Sequence, residues 1–228
     1  MSFQGKNKAI TFSFDDGVVQ DIRAVEILNR YGLKGTFNLN SSYLGLPGIS
    51  ERNGNKIENS KVKACDIKNI YAGHEIAVHT LTHPNLLDID DDNVAYQVEQ
   101  DRIVLSNLAG YDVVGMAYPY GTVDDRVADI IKNRTGVRYS RTVKSVGFFE
   151  KQEDLYKLNP SIHFGAEELF SLGEKFLSLK PEKPTVFYIW GHTYELDYLI
   201  SWEKFEEFCK MISGKDDIFY GTNREILL

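Results

Sequence analysis

Residues Ala9 to Gly17 read AITFSFDDG. The first six residues are β-branched, aromatic or small, which favours a buried strand, and the Asp-Asp-Gly that follows favours a turn. Val19 to Arg30 carries apolar side chains at near-helical spacing before Gly32, so a helix is predicted there. The chain is therefore predicted to open with a strand, a loop that carries two carboxylates, and a helix.

The same alternation of strand and helix continues along the chain. Further strands are predicted at 34–39, 75–78, 113–117, 137–141, 185–190 and 217–220, and further helices at 92–108, 123–132, 166–179 and 202–212. Residues 40–59, rich in Gly, Asn and Ser, are predicted to form a long loop. Strands that alternate with helices build parallel sheets. This number of units favours a closed or nearly closed α/β barrel over an open doubly wound sheet, and no GxGxxG follows the first strand.

The composition is that of a globular protein with a sizeable core. The chain has 228 residues, of which 43% are hydrophobic and 26% charged, and no repeat or linker divides it, so one domain is expected. A net charge of −7 argues against a general nucleic-acid binder and favours a neutral or cationic substrate, local patches aside. No run approaches the ~20 apolar residues of a membrane span.

The two cysteines, Cys65 and Cys209, form no CxxC pair, so no thiolate metal site or disulfide framework is indicated. The first residues lack the basic and then apolar pattern of a signal peptide. We therefore expect a cytoplasmic protein, with a trimmed secreted protein as the alternative.

Ionisable residues follow the predicted strands at the points where those strands end. Because the carboxyl ends of parallel barrel strands meet at one rim, these residues are predicted to share a site. They are Asp15, Asp16, His79, His83, Arg141 and His192, and the segment Tyr118 to Gly121 (YPYG) follows a strand in the same way.

The aspartate pair and the histidine pair suggest a metal centre. His79 and His83 are four residues apart, which brings two imidazoles together on one turn, and one carboxylate would complete a three-ligand site. Adjacent aspartates can divide the work of metal ligand and free base. The alternatives are a solvated Asp-Asp-Gly turn and capping or core histidines. His74 precedes its strand and is interpreted as structural.

His192 is a candidate general acid, because imidazole changes protonation near neutral pH. The alternative is a half-buried structural histidine. His163 has an equal claim on position, since it follows the segment Asn159 to Ile162, but nothing around it in the sequence assigns it a role.

Three motifs in order resemble the polysaccharide deacetylase family, also called the NodB-homology or carbohydrate esterase 4 family. They are Thr11 to Gly17 (TFSFDDG), Gly73 to Pro84 (GHEIAVHTLTHP) and Tyr118 to Gly121 (YPYG), and Thr222 to Ile226 (TNREI) is similar to the family's closing segment. The resemblance implies a distorted (β/α)7-type barrel with parallel strands, as a single domain over residues 1–228. It also implies a hydrolase that removes N-acetyl groups from the amino sugars of a glycan.

The resemblance further implies roles for individual residues. Asp15 would be the catalytic base and His192 the general acid, while Asp16, His79 and His83 would hold a divalent metal: zinc, with cobalt or nickel as alternatives. The substrate groove would be lined by Tyr118, Pro119, Tyr120 and Gly121, with a backbone N–H near Tyr120 at the oxyanion and Trp190 beside the acetyl pocket. The expected partner is the N-acetylated glycan alone, and the oligomeric state is left open.

The match departs from the family pattern at two places. Ala117 stands where the family carries an arginine that pairs with the catalytic aspartate, and Tyr139 to Thr142 (YSRT) replaces an Asp-Trp pair. Arg141 is therefore predicted to supply the missing cation, with a surface arginine as the alternative. Two other functions remain open: hydrolysis of another small ester or amide, and glycan binding by an inactive relative.

Overall fold

The computed structural model, which describes residues 2–52 and 54–228, is a curled parallel sheet with helices on its outer face. Its strands are β1 (Lys8–Asp15), β2 (Gly35–Leu39), β3 (Ile49–Arg52), β4 (Asn55–Glu58), β5 (Glu75–Val78), β6 (Gly115–Ala117), β7 (Tyr139–Arg141), β8 (Ile162–His163), β9 (Thr185–Gly191) and β10 (Ile218–Tyr220). Its α-helices are α1 (Asp21–Arg30), α2 (Ile67–Ile70), α3 (Asp91–Ala109), α4 (Asp125–Arg134), α5 (Leu169–Ser178), α6 (Trp202–Ile212) and α7 (Asn223–Leu227).

The strands of the main sheet run in the order β7-β6-β5-β2-β1-β9-β8, and β10 pairs with the start of β1. Every pairing in this sheet is parallel. The carboxyl ends of its strands therefore face the same rim, as the sequence predicted.

An irregular segment, residues 155–161, connects the edge strand β7 with β9, near the other edge of the sheet. The Leu158 N–H donates to the Ser140 carbonyl at 3.0 Å, and the Thr142 N–H donates to the Leu158 carbonyl at 2.8 Å. On the other side, the Ser161 N–H donates to the Tyr188 carbonyl at 2.7 Å. These hydrogen bonds pair backbone N–H and carbonyl groups that would lack partners at an open sheet edge. The sheet therefore curls into a distorted barrel. The predicted fold class is confirmed.

β1 shows how the sequence separates the core from the barrel interior. Successive side chains of a strand point to opposite faces. Phe12 and Phe14 point outward and contact Phe205 of α6, with ring centroids 6.0 and 6.2 Å away. Ser13 and Asp15 point inward, where both meet Arg141. The outer face is thus the aromatic core under the helices, and the inner face is polar.

The predicted loop over 40–59 is partly wrong. Ser41–Tyr43 forms a 3₁₀ turn, and β3 pairs antiparallel with β4 in a separate hairpin. The strand pattern there is polar, so hydrophobic periodicity did not reveal it. The short elements α2, β8 and α7 were not predicted either. No helix among the described residues is both long and apolar enough to cross a membrane.

Candidate active site

The strand-end residues line one cavity of about 340 Å³ at the carboxyl rim of the barrel. Its walls are formed by Asp15, Asp16, Arg52, His79, His83, Tyr118, Tyr120, Val143, Trp190, His192 and Tyr194. Asp15 and Asp16 come from the end of β1, and His79 directly follows β5. His192 directly follows β9. The parallel topology thus brings together residues that are up to 177 positions apart in the chain.

Asp16, His79 and His83 form a candidate metal centre. The Asp16 Oδ1 lies 3.8 Å from the His79 Nε2 and 3.9 Å from the His83 Nε2, and all three ligand atoms lie within 4.8 Å of one another. One carboxylate and two imidazoles that leave further positions open are a common donor set for zinc and similar divalent ions. The donors therefore fit such an ion.

The tautomer of His79 and the protonation state of both histidines also suit metal binding. His79 Nδ1 lies 2.8 Å from the Ala117 carbonyl, which can only accept, so the proton is on Nδ1 and the Nε2 lone pair faces the cavity. Burial lowers the pKa of His79, and burial followed by the neighbouring His79 lowers the pKa of His83 to about 4. Both imidazoles are therefore neutral near pH 7, as metal ligands must be.

Asp15 lies beside the metal centre and is engaged differently. It is 2% exposed, and its Oδ1 accepts hydrogen bonds from the Arg141 guanidinium and from the Asn38 side chain, the latter at 2.8 Å. Burial by itself raises the pKa of Asp15, but the charges of Arg141 and His192 hold that pKa below its usual value. Neither donor engages Oδ2, which leaves one carboxylate oxygen for chemistry.

Arg141 is fully buried, so it is not a surface arginine. Its Nε donates to Ser13 Oγ at 3.1 Å and its Nη1 to the Thr142 carbonyl at 2.9 Å. Arg141 and Ala117 are directly paired on the adjacent strands β7 and β6. The family pattern places an arginine at position 117, on β6. In this chain the guanidinium reaches Asp15 from the neighbouring strand β7 instead.

At the end of β9, which pairs with β1, a carboxylate supports His192. The Glu195 Oε2 lies 3.4 Å from His192 Nδ1, accepts the His192 backbone N–H at 2.9 Å, and lies 2.9 Å from His163 Nε2. Burial lowers the pKa of His192, but Glu195 and the two aspartates outweigh burial and raise that pKa to about 9. His192 is thus held in its protonated form at neutral pH.

His163 lies behind this pair rather than in the cavity. The Gly165 N–H donates to His163 Nδ1 at 3.1 Å, so Nδ1 is unprotonated and the proton is on Nε2, which donates to Glu195. This tautomer cannot present Nε2 to a metal, although His163, His192 and Glu195 are close enough to one another to hold one. The arrangement is therefore a hydrogen-bonded support for His192.

Of the other residues predicted to line the substrate groove, some line the cavity and some do not. Tyr120 is 62% exposed and its ring lies 4.7 Å from that of His83 at the cavity mouth. Tyr118 borders the cavity, but its side chain is buried and its hydroxyl donates to the Tyr156 carbonyl at 2.8 Å. Pro119 and Gly121 shape this turn and do not line the cavity. Trp190 lines the cavity, with its ring 5.0 Å from the Arg141 guanidinium carbon.

Sequence reasoning missed Glu195, Arg52, Tyr194 and Asn38. A signal existed for Glu195, which stands three residues after His192 and so comes close to it on one tight turn. Tyr194 stands two residues after His192 on the same turn, and the Asn-Gly that follows Arg52 is a hairpin signal. Asn38 had no such local signal, because it meets Asp15 through the pairing of β1 with β2. His74 lies at the opposite end of β5, where its Nδ1 accepts the Gly35 N–H at 3.0 Å, in line with its structural interpretation.

A family model for polysaccharide deacetylases matches residues 4–140 of the chain. The chain belongs to the polysaccharide deacetylase family. The match includes the Asp-Asp-Gly, the histidine pair and the Tyr-Pro-Tyr-Gly segment. Arg141, His192 and Glu195 lie beyond the matched residues and are brought to the site by the fold.

Two curated relatives are peptidoglycan-N-acetylglucosamine deacetylases. PgdA of Listeria monocytogenes is 28% identical over 128 residues, which cover 55% of this chain and 24% of that protein. The Bacillus cereus protein is 29% identical over 121 residues, which cover 51% of this chain and 38% of that protein. The chain thus matches well under half the length of either relative.

The fold is shared with solved structures over nearly the whole chain. A Mycobacterium smegmatis structure assigned to the polysaccharide deacetylases superposes with a TM-score of 0.66 at 17% identity, covering 98% of this chain and 90% of that one. At this identity the likeness concerns the fold alone.

Proposed function

We propose that this chain is a metal-dependent deacetylase that removes N-acetyl groups from the amino sugars of a glycan. The observation that carries the proposal is the arrangement of one cavity. The cavity is lined by a candidate three-ligand metal centre, by a buried, cation-paired aspartate and by a histidine held in its protonated form. Metal-assisted hydrolysis of an unactivated amide uses all three parts.

Asp16, His79 and His83 would hold the metal, with zinc as the first choice and cobalt or nickel as alternatives. A divalent ion there supplies Lewis-acid chemistry, which polarises the acetyl carbonyl and makes a water more acidic. The protein's part is to keep both imidazoles neutral and to hold His79 in the required tautomer through the Ala117 carbonyl.

Asp15 is proposed as the general base. Its Oδ1 is fixed by Arg141 and Asn38, so its Oδ2 can accept the proton of the attacking water. Arg141 keeps the carboxylate ionised, which a base must be before it accepts a proton. In this chain Arg141 would therefore replace the arginine expected at 117.

His192 is proposed as the general acid. Attack on the carbonyl gives a tetrahedral oxyanion, and a backbone N–H near Tyr120 is the proposed hydrogen-bond donor to it. The departing sugar nitrogen must be protonated, because an amide anion is a very poor leaving group. Protonated His192, held by Glu195 and His163, would donate that proton.

The proposed substrate is a glycan that contains N-acetylglucosamine. Support comes from family membership and from the two relatives, whose names specify that sugar in peptidoglycan. Tyr120 and Trp190 add aromatic surface on which a sugar ring can stack.

Acetate release from fragments of chitin, peptidoglycan and poly-N-acetylglucosamine, with added zinc, cobalt or nickel, tests the proposal. We expect metal-dependent release from at least one fragment that is lost after chelation. Release of acetate only from small esters or amides would identify a different hydrolase. Metal binding without release from any substrate would identify a glycan-binding relative.

A further inference from the structure

The β3–β4 hairpin presents one side chain to the cavity. Arg52 is paired with Asn55, and Ser50 with Ile57. Paired residues of an antiparallel hairpin share a face, and successive residues alternate between faces. Arg52 therefore lies on the same face as Ile57, whereas Lys56 lies on the opposite face.

That shared face is the inner one. Ile57 is 5% exposed and packs with Val18 and Tyr194 in a small apolar cluster. Tyr194 belongs to the turn that follows His192. The hairpin is thus seated against the His192 side of the active site, and Arg52 lines the cavity.

A polar clamp fixes this position. Gln20, directly before α1, donates from its side chain to the Glu58 carbonyl at 2.6 Å and to the Asp197 carboxylate at 2.8 Å. Glu58 ends β4, and Asp197 ends the turn after His192. The hairpin, the turn and the start of α1 are therefore held together as one wall.

The charge of Arg52 has no carboxylate partner within residues 2–52 and 54–228. Its Nη1 donates to the backbone carbonyl of the adjacent Glu51 at 3.1 Å. The ion pairs of this part of the chain engage six other arginines: Arg23, Arg30, Arg102, Arg126, Arg134 and Arg141. A guanidinium on the wall of a substrate cavity is thus left to pair with something that enters the cavity.

The surroundings of Arg52 suit a sugar that carries one negative charge. Tyr194 lines the cavity together with Arg52, and its ring stacks on that of Tyr198 with centroids 6.5 Å apart. Lys61, the other cation nearby, lies 3.9 Å from the Asp16 carboxylate and is already engaged. One free guanidinium matches one monoanion, and its planar fork matches a carboxylate.

We propose that Arg52, with Tyr194 and Tyr198, forms a subsite for a carboxylate on the glycan, so that the substrate is an acidic amino-sugar polymer. This inference rests on the proposed function, because it concerns the same cavity. Two sources supply such a carboxylate close to an acetamido sugar: a uronic acid and a lactyl ether. The overall charge of −7 favours neutral or cationic partners, and this wall is a local exception.

Three tetrasaccharides separate the possibilities: neutral chitotetraose, a hyaluronan tetramer with uronic acids, and a peptidoglycan tetramer with free lactyl carboxylates. Affinities are measured by calorimetry on metal-loaded protein carrying Asp15→Asn, so that substrate is not consumed. Deacetylation of the same three is measured on the otherwise unchanged enzyme. Arg52→Gln is added in both backgrounds, and Lys56→Gln, on the outer face of the same hairpin, is the matched control.

We expect at least one acidic tetramer to bind more tightly than chitotetraose, and Arg52→Gln to weaken that tetramer by about tenfold relative to chitotetraose. Lys56→Gln should leave the ratio unchanged. The acidic tetramer that responds identifies the source of the carboxylate. Equal weakening of neutral and acidic tetramers, or no preference in the parent protein, overturns the inference. Absence of acetate release from every tetramer counts against the proposed function instead, because the binding ratio does not depend on turnover.

Discussion

Removal of Arg141 is the change that most directly tests how Asp15 works. Both side chains of the pair are out of contact with solvent, at 0% and 2% exposure. Breaking a buried pair by removing one partner leaves an uncompensated charge and costs about 3–5 kcal/mol. Arg141→Ala should therefore destabilise the protein by about that amount. For a chain of this size it corresponds to a fall in Tm of about 6–20 °C.

The comparison variants isolate the pair. Arg134→Ala removes a guanidinium whose ion pair with Asp92 is solvent-exposed, so it should cost at most about 1 kcal/mol. Asp15→Asn with Arg141→Ala removes both charges, and its loss should be smaller than the sum of the single losses by about 1–3 kcal/mol. Urea unfolding at pH 7 measures all four variants. The Asp15 pKa lies below its ordinary 3.8, so the pair stabilises the fold above about pH 4 and ceases to do so as the pH falls further.

Activity gives the second readout of the same change. Without Arg141 the pKa of Asp15 rises, and ionised Asp15 is the active form, so the acid limb of kcat/KM should move to higher pH. The rate should fall while metal content stays intact. Arg141→Lys should recover only part of the loss, because an ammonium cannot reproduce a bidentate guanidinium.

A rescue experiment uses the strand pairing. Arg141 and Ala117 are directly paired, so Ala117→Arg in the Arg141→Ala background should return a cation to Asp15 and restore activity. The reasoning is refuted if Arg141→Ala leaves stability, rate and pH profile like those of Arg134→Ala. Lost stability with an unchanged pH profile would make Arg141 a structural residue only.

Four further substitutions test the remaining roles. Asp16→Ala should lose the metal, whereas Asp15→Asn should keep it and lose most turnover; metal analysis separates them, and equal metal loss contradicts the division. His192→Ala should slow hydrolysis of an N-acetyl sugar by about 10²- to 10⁴-fold and that of an ester with a good leaving group much less. An equal penalty on both substrates would mean that His192 positions substrate. Glu195→Gln should lower the pKa of His192, so the alkaline limb of kcat/KM should move to lower pH; an unshifted limb argues against support by Glu195.

The parts of the fold that carry strong hydrophobic patterns were predictable. β5 at Glu75–Val78 and α6 at Trp202–Ile212 have the predicted bounds, because β5 is a short segment buried along its whole length and α6 buries residues at helical spacing. The meeting of Asp16, His79 and His83 also follows from the sequence, since parallel strands place their carboxyl ends at one rim.

The hairpin was not predictable from hydrophobic periodicity. β3 and β4 read ISER and NKIE, and Ile57 is the one residue of the two strands that is buried in the described chain. The Asn-Gly at positions 53 and 54 is itself a hairpin signal in the sequence, but the polar flanks masked it. Arg52 was missed for the same reason.

The partner of Arg141 depends on information that a single sequence does not contain. Whether an arginine at a strand end is buried or exposed follows from the neighbouring strands and from how they pair. Here the β6–β7 pairing and the inward face of β1 together decide that it meets Asp15. Sequence reasoning could name the candidate but could not choose between the buried and the surface position.

Backbone conformation explains how neighbouring residues reach different tasks. Asp15 points inward through the strand pleat, and a continued strand would point Asp16 outward. Instead Asp16 has φ of 81°, and Thr80, His83 and Tyr120 are also left-handed, at 67°, 53° and 59°. Such residues cost about 1–3 kcal/mol each and persist where their surroundings fix them. Three of the five non-glycine examples among the described residues line this cavity, and Thr80 directly follows the lining residue His79. The barrel thus supplies the positions, and its strained loops supply the orientation of the ligands.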